Sequence, residues 1–285
     1  MSLSENGDQL ELDDLGYTFL EDLRPFSKLF KIRNEPQFQD IVQRTSQAYA
    51  SNTDETPCEY ILFSSNDNTI SHIIHSTHPY TMRRLSAFDL NAGLLLAKLP
   101  PTIAHSTAAT EFQSMLHDAL QPMGLHRAIK GYASAGISGD EEKRAKQPDG
   151  GWGPKRRPPR SNDRPSVVLE VALSEPDKKL QSDIRFWLSP GDGDANVCFT
   201  VRLDRSRSVI RIENWHRAQG RIRRNQRIWI QRVSGQIQVT GDSPLSLSFE
   251  DLFRRKPDRP GEHDLELSSE ALKEYARTIW DDYDR

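Results

Sequence analysis

The apolar run from Val167 to Leu173, within PSVVLEVALSEPDKKL, is the feature that most constrains the fold. Apolar residues at nearly every position are typical of a strand covered on both faces, as in the interior of an α/β or α+β sheet. Glu170 lies at the centre of this run. A carboxylate there is costly unless it is paired or binds a metal. The sequence therefore predicts either a salt bridge from Glu170 to a nearby arginine or a role for Glu170 as a metal ligand.

Composition indicates a globular protein outside the membrane. The 285 residues are 35% hydrophobic and 28% charged, which is typical of a soluble chain with some polar segments. No apolar run approaches the roughly 20 residues that span a bilayer, and the acidic N-terminus lacks the pattern of a signal peptide. Cys58 and Cys198 are far apart in sequence, so neither a disulfide framework nor a zinc site is expected. We expect an intracellular protein, nuclear or cytoplasmic, with no membrane association.

Charge is distributed unevenly along the chain. The formal net charge is -3, yet Arg and Lys outnumber Asp and Glu from Lys130 to Arg232, while both ends of the chain are acidic. A basic middle is compatible with a domain that binds a polyanion. A solvated, charge-rich surface is the alternative interpretation.

The order of predicted elements indicates the α+β (α/β-like) class, with a mixed central sheet flanked by helices. Two short helices divided at Pro36 are expected between residues 26 and 50, a strand at 58–65, and helices at 80–99 and 102–120. A short strand near Trp152, the central strand and a helix at 177–188 follow. Two hairpins and two final helices complete the order. We divide the chain into an acidic N-terminal region, partly disordered and then mainly helical (1–101), a main domain (102–250) and an acidic helical extension (251–285).

Asp149, in KQPDGGWGP, is the second acid of interest. An Asp between a proline and two glycines is ordinary turn chemistry. About twenty residues separate Asp149 from Glu170, however, which is enough for one strand, a loop and the return strand. Two carboxylates on adjacent strands would form an oxygen-rich site for Mg²⁺ or Mn²⁺. Such a cation activates water and neutralises charge on a phosphate under attack.

The two acids and the segments around them resemble those of a known protein superfamily. The order of Glu111 on a helix, PDG at 148–150, VVLEVA with Glu170, and a helix after DKKL resembles the PD-(D/E)XK, or restriction-endonuclease-like, nuclease superfamily. PDGGWGP, PSVVLEVALSE, KKLQSDIRFWL and IRIENW are similar to an uncharacterised nuclease-like family common in filamentous fungi. The resemblance covers roughly residues 102–250. It implies a restriction-endonuclease-like core and metal-dependent hydrolysis of phosphodiester bonds in DNA or RNA.

The resemblance also implies a ligand set. Asp149 and Glu170 match the metal-binding acids of the superfamily, the backbone carbonyl of Val171 is a third ligand, and Glu111 is the helix acid that often joins them.

The catalytic lysine of the superfamily is missing from its usual place. It follows the strand glutamate by two residues, where this chain has Ala172. Either Lys178 or Lys179, with Lys179 preferred, reaches back into the site, or both lysines face solvent. In the second case the protein is a catalytically inactive nuclease-fold module that binds nucleic acid or another protein.

An arginine-rich stretch at residues 216–232 predicts a nucleic-acid partner. Arginines at alternate strand positions beside Trp229 could bind backbone phosphate. An exposed sheet face with ordinary charge is the alternative. The predicted nucleic-acid contacts are Arg156, Arg157, Arg221, Arg223, Arg224 and Arg227.

Overall fold

The computed structural model describes residues 11–12, 18–23, 28–50, 59–132, 136–139, 142–156, 163–173, 177–204 and 207–281. Most of residues 1–20, for which partial disorder is predicted, therefore lie outside the described residues. The described residues form two large mixed sheets, a two-stranded sheet, and helices that pack on them.

The elements follow one another as a mixture of strands and helices. Up to residue 98 they are β1 (Glu11–Leu12), a 3₁₀ turn (Glu21–Leu23), β2 (Lys28–Lys31), α1 (Glu35–Ala50), β3 (Tyr60–Ser64), α2 (Asp67–Ile74), α3 (Pro79–Arg84), β4 (Leu85–Asp89) and β5 (Leu94–Lys98). The next are α4 (Ile103–Leu120), β6 (Ile129–Gly131), β7 (Ile137–Ser138), β8 (Arg144–Lys146), β9 (Gly150–Pro154) and β10 (Val167–Ala172). The last are α5 (Asp177–Leu188), β11 (Val197–Asp204), β12 (Val209–Ala218), β13 (Arg221–Val233), β14 (Gln236–Gly241), β15 (Leu245–Leu247), α6 (Phe249–Phe253), β16 (Leu265–Leu267) and α7 (Ser269–Asp281).

The strands of the two large sheets alternate along the chain and do not fall into two separate segments. The six-stranded sheet has the order β2-β3-β5-β4-β8-β7. The eight-stranded sheet has the order β1-β13-β12-β11-β10-β9-β6, with β14 paired to β13. Each sheet draws strands from both sides of residue 101, so the sheets do not follow the predicted division at that residue. Helix α7, in the predicted C-terminal extension, packs on α4 in the core of the eight-stranded sheet.

Strand β10 lies in the interior of the eight-stranded sheet and is covered on both faces. It pairs in parallel with β11 and antiparallel with β9. Val167, Leu169 and Val171 pack into the core that includes α4 and α7, while Val168 and Ala172 pack into the core that includes α5. All six residues of β10 are buried. The prediction of a doubly covered strand in a mixed α+β fold is confirmed.

The prediction of a helix over residues 80–99 is wrong. Helix α3 ends at Arg84, and the chain then forms the antiparallel pair β4 and β5. Gly93, in the turn between them, has φ +62°, and a Cβ there would lie 2.8 Å from the carbonyl oxygen of Ser65. Only glycine suits this turn. A short apolar run such as LLLA does not by itself distinguish a helix from a buried strand. In the structure this run forms the buried strand β5.

The prediction of two short helices between residues 26 and 50 is also wrong. Residues Lys28–Lys31 form β2, and a single helix, α1, begins at Glu35. Pro36 lies in the first turn of this helix, where its missing N–H removes no helical hydrogen bond. The side chain of Asn34 accepts a hydrogen bond from the backbone N–H of Gln37 at 3.0 Å and so caps the helix. The N-terminal region is thus a sheet with helices and not a mainly helical extension.

Among the described residues, no helix is long and apolar enough to cross a membrane.

Candidate functional site

Asp149 and Glu170 occupy facing positions on neighbouring strands. In the antiparallel pair of β9 and β10, Gly150 lies opposite Leu169, so the next position along each strand holds Asp149 and Glu170. Asp149 Oδ2 accepts a hydrogen bond from the backbone N–H of Val171 at 2.9 Å. Because the N–H and C=O of a strand residue point to the same neighbour, the carbonyl of Val171 faces the same edge. The three predicted ligands are therefore brought to one place.

The carboxylate of Glu170 is buried and has polar contacts with side chains from two other elements. Its side chain is 1% exposed, and its Oε1 lies 3.1 Å from Lys146 Nζ on β8. The indole N–H of Trp187, on α5, donates to the same oxygen at 2.5 Å. Lys146 also lies 3.2 Å from Asp183 Oδ1, and the other oxygen of Asp183 accepts from Lys179 at 2.5 Å. Lys146, which was not predicted, therefore pairs with Glu170, and the preferred Lys179 enters the same cluster through Asp183.

Trp187 is held in place by a close passage of the chain after α5. A Cβ on Gly193 would lie 2.6 Å from the Cα of Trp187 and 2.7 Å from its carbonyl oxygen. The loop is fixed there by backbone hydrogen bonds from Gly193 to Phe186 and from Ala195 to Trp187. Glycine at position 193 therefore lets the loop pack directly on the residue that donates to Glu170.

We expect Gly193→Ala to lower the free energy of unfolding by about 1–3 kcal/mol, because the added methyl group overpacks the contact with Trp187. Urea denaturation measures this loss. Gly191→Ala is the matched control in the same loop, since no atom lies within 4 Å of a Cβ there. Equal stability of the two variants would contradict the expectation.

Asp149 has its own cationic partners. Its Oδ1 pairs with the ammonium of Lys98, which ends β5, and lies 3.2 Å from Nε2 of His105, in the first turn of α4. The second ring nitrogen of His105, Nδ1, lies 3.4 Å from Oε2 of Glu59. The ring of Tyr60 lies beneath Lys98, at 5.7 Å, and beneath Lys179, at 3.7 Å. This ring links the surroundings of Asp149 to those of Glu170.

Burial and neighbouring charge shift the pKa values of these groups. Burial opposes the charged form of His105, but Asp149 and Glu59 raise the pKa of His105 to about 9. Burial would raise the pKa of Asp149, yet Lys98 and His105 hold it well below its usual range. Burial, with the negative charges of Asp183 and Asp149, raises the pKa of Glu170 to about 7 against the pull of Lys146. At neutral pH His105 is therefore charged and Glu170 is partly protonated.

The eight ionisable side chains form a charge-balanced set, which we call the buried charge network. Four acids face four bases within it, and the burial of all but Lys98 and Asp149 is nearly complete. The members are Glu59, Asp149, Glu170 and Asp183 with Lys98, His105, Lys146 and Lys179. A buried charge is tolerated when it is paired, and this balance explains how β10 accommodates Glu170. Of the two interpretations of Glu170, the salt bridge is the one seen, although its partner is a lysine and not an arginine.

A pocket of about 300 Å³ opens above one end of the network. We call it the Asp149 pocket. Its charged walls consist of Arg83, Arg84, Lys98 and His105, with Asp149 as the only acid among them. Within the described chain, Nε of Arg84 is buried and has no hydrogen-bond partner. An unpaired buried donor is costly, so Arg84 brings to the positively charged wall a donor that has no acceptor among the described residues.

The other predicted site residues lie elsewhere. Lys178 is exposed on the first turn of α5. Glu111 is half-buried on α4 and is not among the residues that line the Asp149 pocket. Ala172, in the position of the expected lysine, is buried in the core beside α5. Arg156 is exposed, and Arg157 lies outside the described residues.

The arginines of β13 are engaged by acids. Arg221 and Arg223 pair with Glu11 of β1, at 3.0 and 2.9 Å. Arg224 and Arg227 pair with Glu213 of β12, at 3.4 and 2.7 Å. These four predicted nucleic-acid contacts are thus partly neutralised by acids of the same sheet.

Sequence reasoning missed the residues that neutralise the two acids. Lys98 on β5 and His105 on α4 lie 51 and 44 residues before Asp149, and Lys146 on β8 lies 24 residues before its partner Glu170. One signal was present: Asp183 and Trp187 follow Lys179 at intervals of four residues, so all three lie on one face of α5. An acid and an indole on that face, with Leu180 and Ile184, indicate a polar contact beneath the helix.

A divalent cation at Asp149 and Glu170 would have to displace the cationic side chains that pair with these acids in this arrangement. Among the described residues, no group of three or more His, Cys, Asp or Glu side chains could hold a metal ion. Each acid already has a cationic partner, and the charge-balanced network offers no net negative charge to a cation with two positive charges. The predicted Mg²⁺ or Mn²⁺ stays a prediction.

No protein-family model and no curated protein sequence matches the chain. Fold and site therefore define the protein by class alone: a mixed α+β protein with a cationic pocket above a buried, balanced charge network.

Proposed function

We propose that the protein binds nucleic acid and that the Asp149 pocket takes a phosphate group of the backbone. One observation carries this proposal: the charged walls of the pocket contain four cations and one acid, and that acid is already paired with Lys98 and His105. Phosphate contacts by Arg and Lys supply most of the affinity in such complexes. A restriction-endonuclease-like core that has kept binding without metal-dependent cleavage is part of the proposal.

Arg84 is the residue on which the proposal is best tested. Its unpartnered Nε and the charge of its guanidinium suit a phosphate oxygen. We expect Arg84→Gln to weaken binding of labelled single-stranded DNA or RNA about tenfold, since a hydrogen bond to a charged group contributes roughly 1.5–3 kcal/mol. The slope of log affinity against log salt should fall by about 1. Fluorescence anisotropy with chelator present measures both quantities.

Arg44→Gln is the matched control, because Arg44 is an exposed arginine on α1 that pairs with Asp40 and does not line the pocket. It should leave affinity and salt slope unchanged. Absence of binding by the wild-type protein at low salt, or equal losses in the two variants, would overturn the proposal.

A metal-dependent nuclease is the second candidate function. The observation that favours it is the placement of Asp149, Glu170 and the Val171 carbonyl at one strand edge, in the order that the PD-(D/E)XK resemblance implies. Cleavage of plasmid or single-stranded DNA with Mg²⁺ or Mn²⁺ that stops with chelator and with Glu170→Gln would establish this function. Intact substrate under all metal conditions, with binding retained, favours the binding function.

A further inference from the structure

A second, smaller pocket of about 160 Å³ lies between helix α5 and strands β12 and β13. We call it the Glu213 pocket. Leu180 and Ile184 of α5 supply apolar wall, and Arg211, Arg227 and Trp215 supply donors. It shares no lining residue with the Asp149 pocket, so an inference about it does not depend on the function proposed above.

Three arginines converge on one carboxylate oxygen in this pocket. Oε1 of Glu213 lies 2.7 Å from Nε of Arg227, 3.4 Å from Nη1 of Arg224 and 3.8 Å from Nε of Arg211. Glu213 is 4% exposed. Burial and the positive charges of Arg227 and Arg211 lower the pKa of Arg224, which indicates mutual repulsion among the guanidinium groups. The carboxylate positions the arginines but supplies one acceptor oxygen to all three.

Trp215 provides an independent observation. It is 2% exposed and forms part of the pocket wall, yet within the described chain its indole N–H has no hydrogen-bond partner. A buried donor without an acceptor is energetically costly. Arg227 uses Nε for Glu213, and no described residue accepts from its two terminal amino groups. Two residues that line this pocket, Trp215 and Arg227, therefore carry donors without an acceptor among the described residues, and the pocket is large enough for one small oxyanion.

We propose that the Glu213 pocket binds a phosphate group, with Arg211, Arg227 and the indole N–H of Trp215 as donors to its oxygens. Arginine suits this role because its planar fork of N–H groups matches two phosphate oxygens at once. Asp177 and Glu213 also line the pocket, and they hold Arg211 and Arg227 in position. The phosphate is either a free phosphate or nucleotide phosphate, or one link of a nucleic-acid backbone.

Titration of inorganic phosphate into ¹⁵N-tryptophan-labelled protein tests the site directly. We expect the indole signal of Trp215, assigned by its loss in Trp215→Phe, to shift saturably with phosphate but not with chloride at equal ionic strength. The Trp280 indole is the internal control, since it is also buried without a partner among the described residues but belongs to the core on the opposite face of the sheet. Its signal should not move.

Variants of Arg227 separate binding from folding. Arg227→Gln should weaken the phosphate response of Trp215 about tenfold, in line with the loss of a charged hydrogen bond, and Arg227→Lys should give an intermediate loss, since it keeps the charge without the fork. The other indole signals report whether each variant is folded. Arg84→Gln should leave the response intact, so failure of the Asp149 proposal and failure of this one are distinguishable.

A short oligonucleotide and its uncharged methylphosphonate analogue identify the source of the phosphate. A tighter response to the oligonucleotide than to inorganic phosphate, absent with the analogue, assigns the pocket to a nucleic-acid backbone. A response to inorganic phosphate alone assigns it to a free or nucleotide phosphate. A Trp215 signal that moves with neither phosphate nor oligonucleotide, or that moves equally in folded Arg227→Gln, would overturn the proposal.

Discussion

Replacing Lys146 with methionine should lower the free energy of unfolding by about 3–5 kcal/mol, the cost of leaving buried charges without their partner. Lys146 is 1% exposed and lies within 3.2 Å of both Glu170 and Asp183. Methionine preserves much of the length of the side chain but not its charge. Glu170 would then lose its paired cation beside the core that includes α5, while Asp183 would keep Lys179. Urea denaturation at neutral pH measures the loss.

Lys178→Met is the matched control, because Lys178 is exposed on α5, and it should change stability by less than about 0.5 kcal/mol. Adding Glu170→Gln to Lys146→Met should recover part of the loss, since a neutral amide needs no buried counter-charge. A loss below about 1 kcal/mol for Lys146→Met, well short of the 3–5 kcal/mol typical of a broken buried pair, would show that the network does not depend on this lysine.

Stability should fall as pH rises from about 6.5 to about 9 because of His105. The pKa of His105 is about 9 in the folded protein, against roughly 6.5 when unfolded. The folded state therefore binds more protons in this window. The contribution of His105 is fully present below about pH 6.5 and is lost as pH rises through about 9. The raised pKa corresponds to a contribution of about 3 kcal/mol.

The measurement compares the free energy of unfolding of the wild type and His105→Gln across this pH range. The difference between them should shrink by about 3 kcal/mol from pH 6.5 to pH 9. His117→Gln, on the same helix but outside the buried charge network, is the matched control. Glu170, whose pKa is raised to about 7, acts in the same direction but mainly between pH 4.5 and 7. Parallel profiles for His105→Gln and the wild type would contradict the assignment of His105 as a buried imidazolium.

The surroundings of Asp149 and Glu170 could be predicted only in part. The meeting of Asp149 and Glu170 followed from local spacing, because one strand and its antiparallel return separate them. The cationic partners of these two acids could not be predicted from the spacing, because they lie on three other elements, β5, α4 and β8. The salt bridge from Lys98 to Asp149, for instance, joins residues 51 positions apart. Arg84, which lines the Asp149 pocket, lies near the beginning of the segment 80–99 that was predicted to be one helix, whereas the helix ends at Arg84, so the position of this side chain could not be predicted correctly.

The elements that were predicted correctly carry strong periodicity. Helix α4 (Ile103–Leu120) buries Ala108, Phe112 and Leu116 on one face as expected, and the pair β11 and β12 and the pair β13 and β14 form antiparallel ladders. The errors fall where a short apolar run was ambiguous, at residues 80–99, or where a proline started a helix instead of ending one, at Pro36.

The sequence alone was enough to predict a doubly covered strand within Val167–Leu173, the α+β class, and two carboxylates on adjacent strands. These features depend on local periodicity and on the reach of one hairpin. Only the tertiary structure decided what neutralises Glu170: Lys146 and Trp187 come from another strand and a helix, and their contact depends on packing between the two sheets. Sequence spacing carries no record of such contacts, because the charge balance of a buried site is a property of all the elements that enclose it.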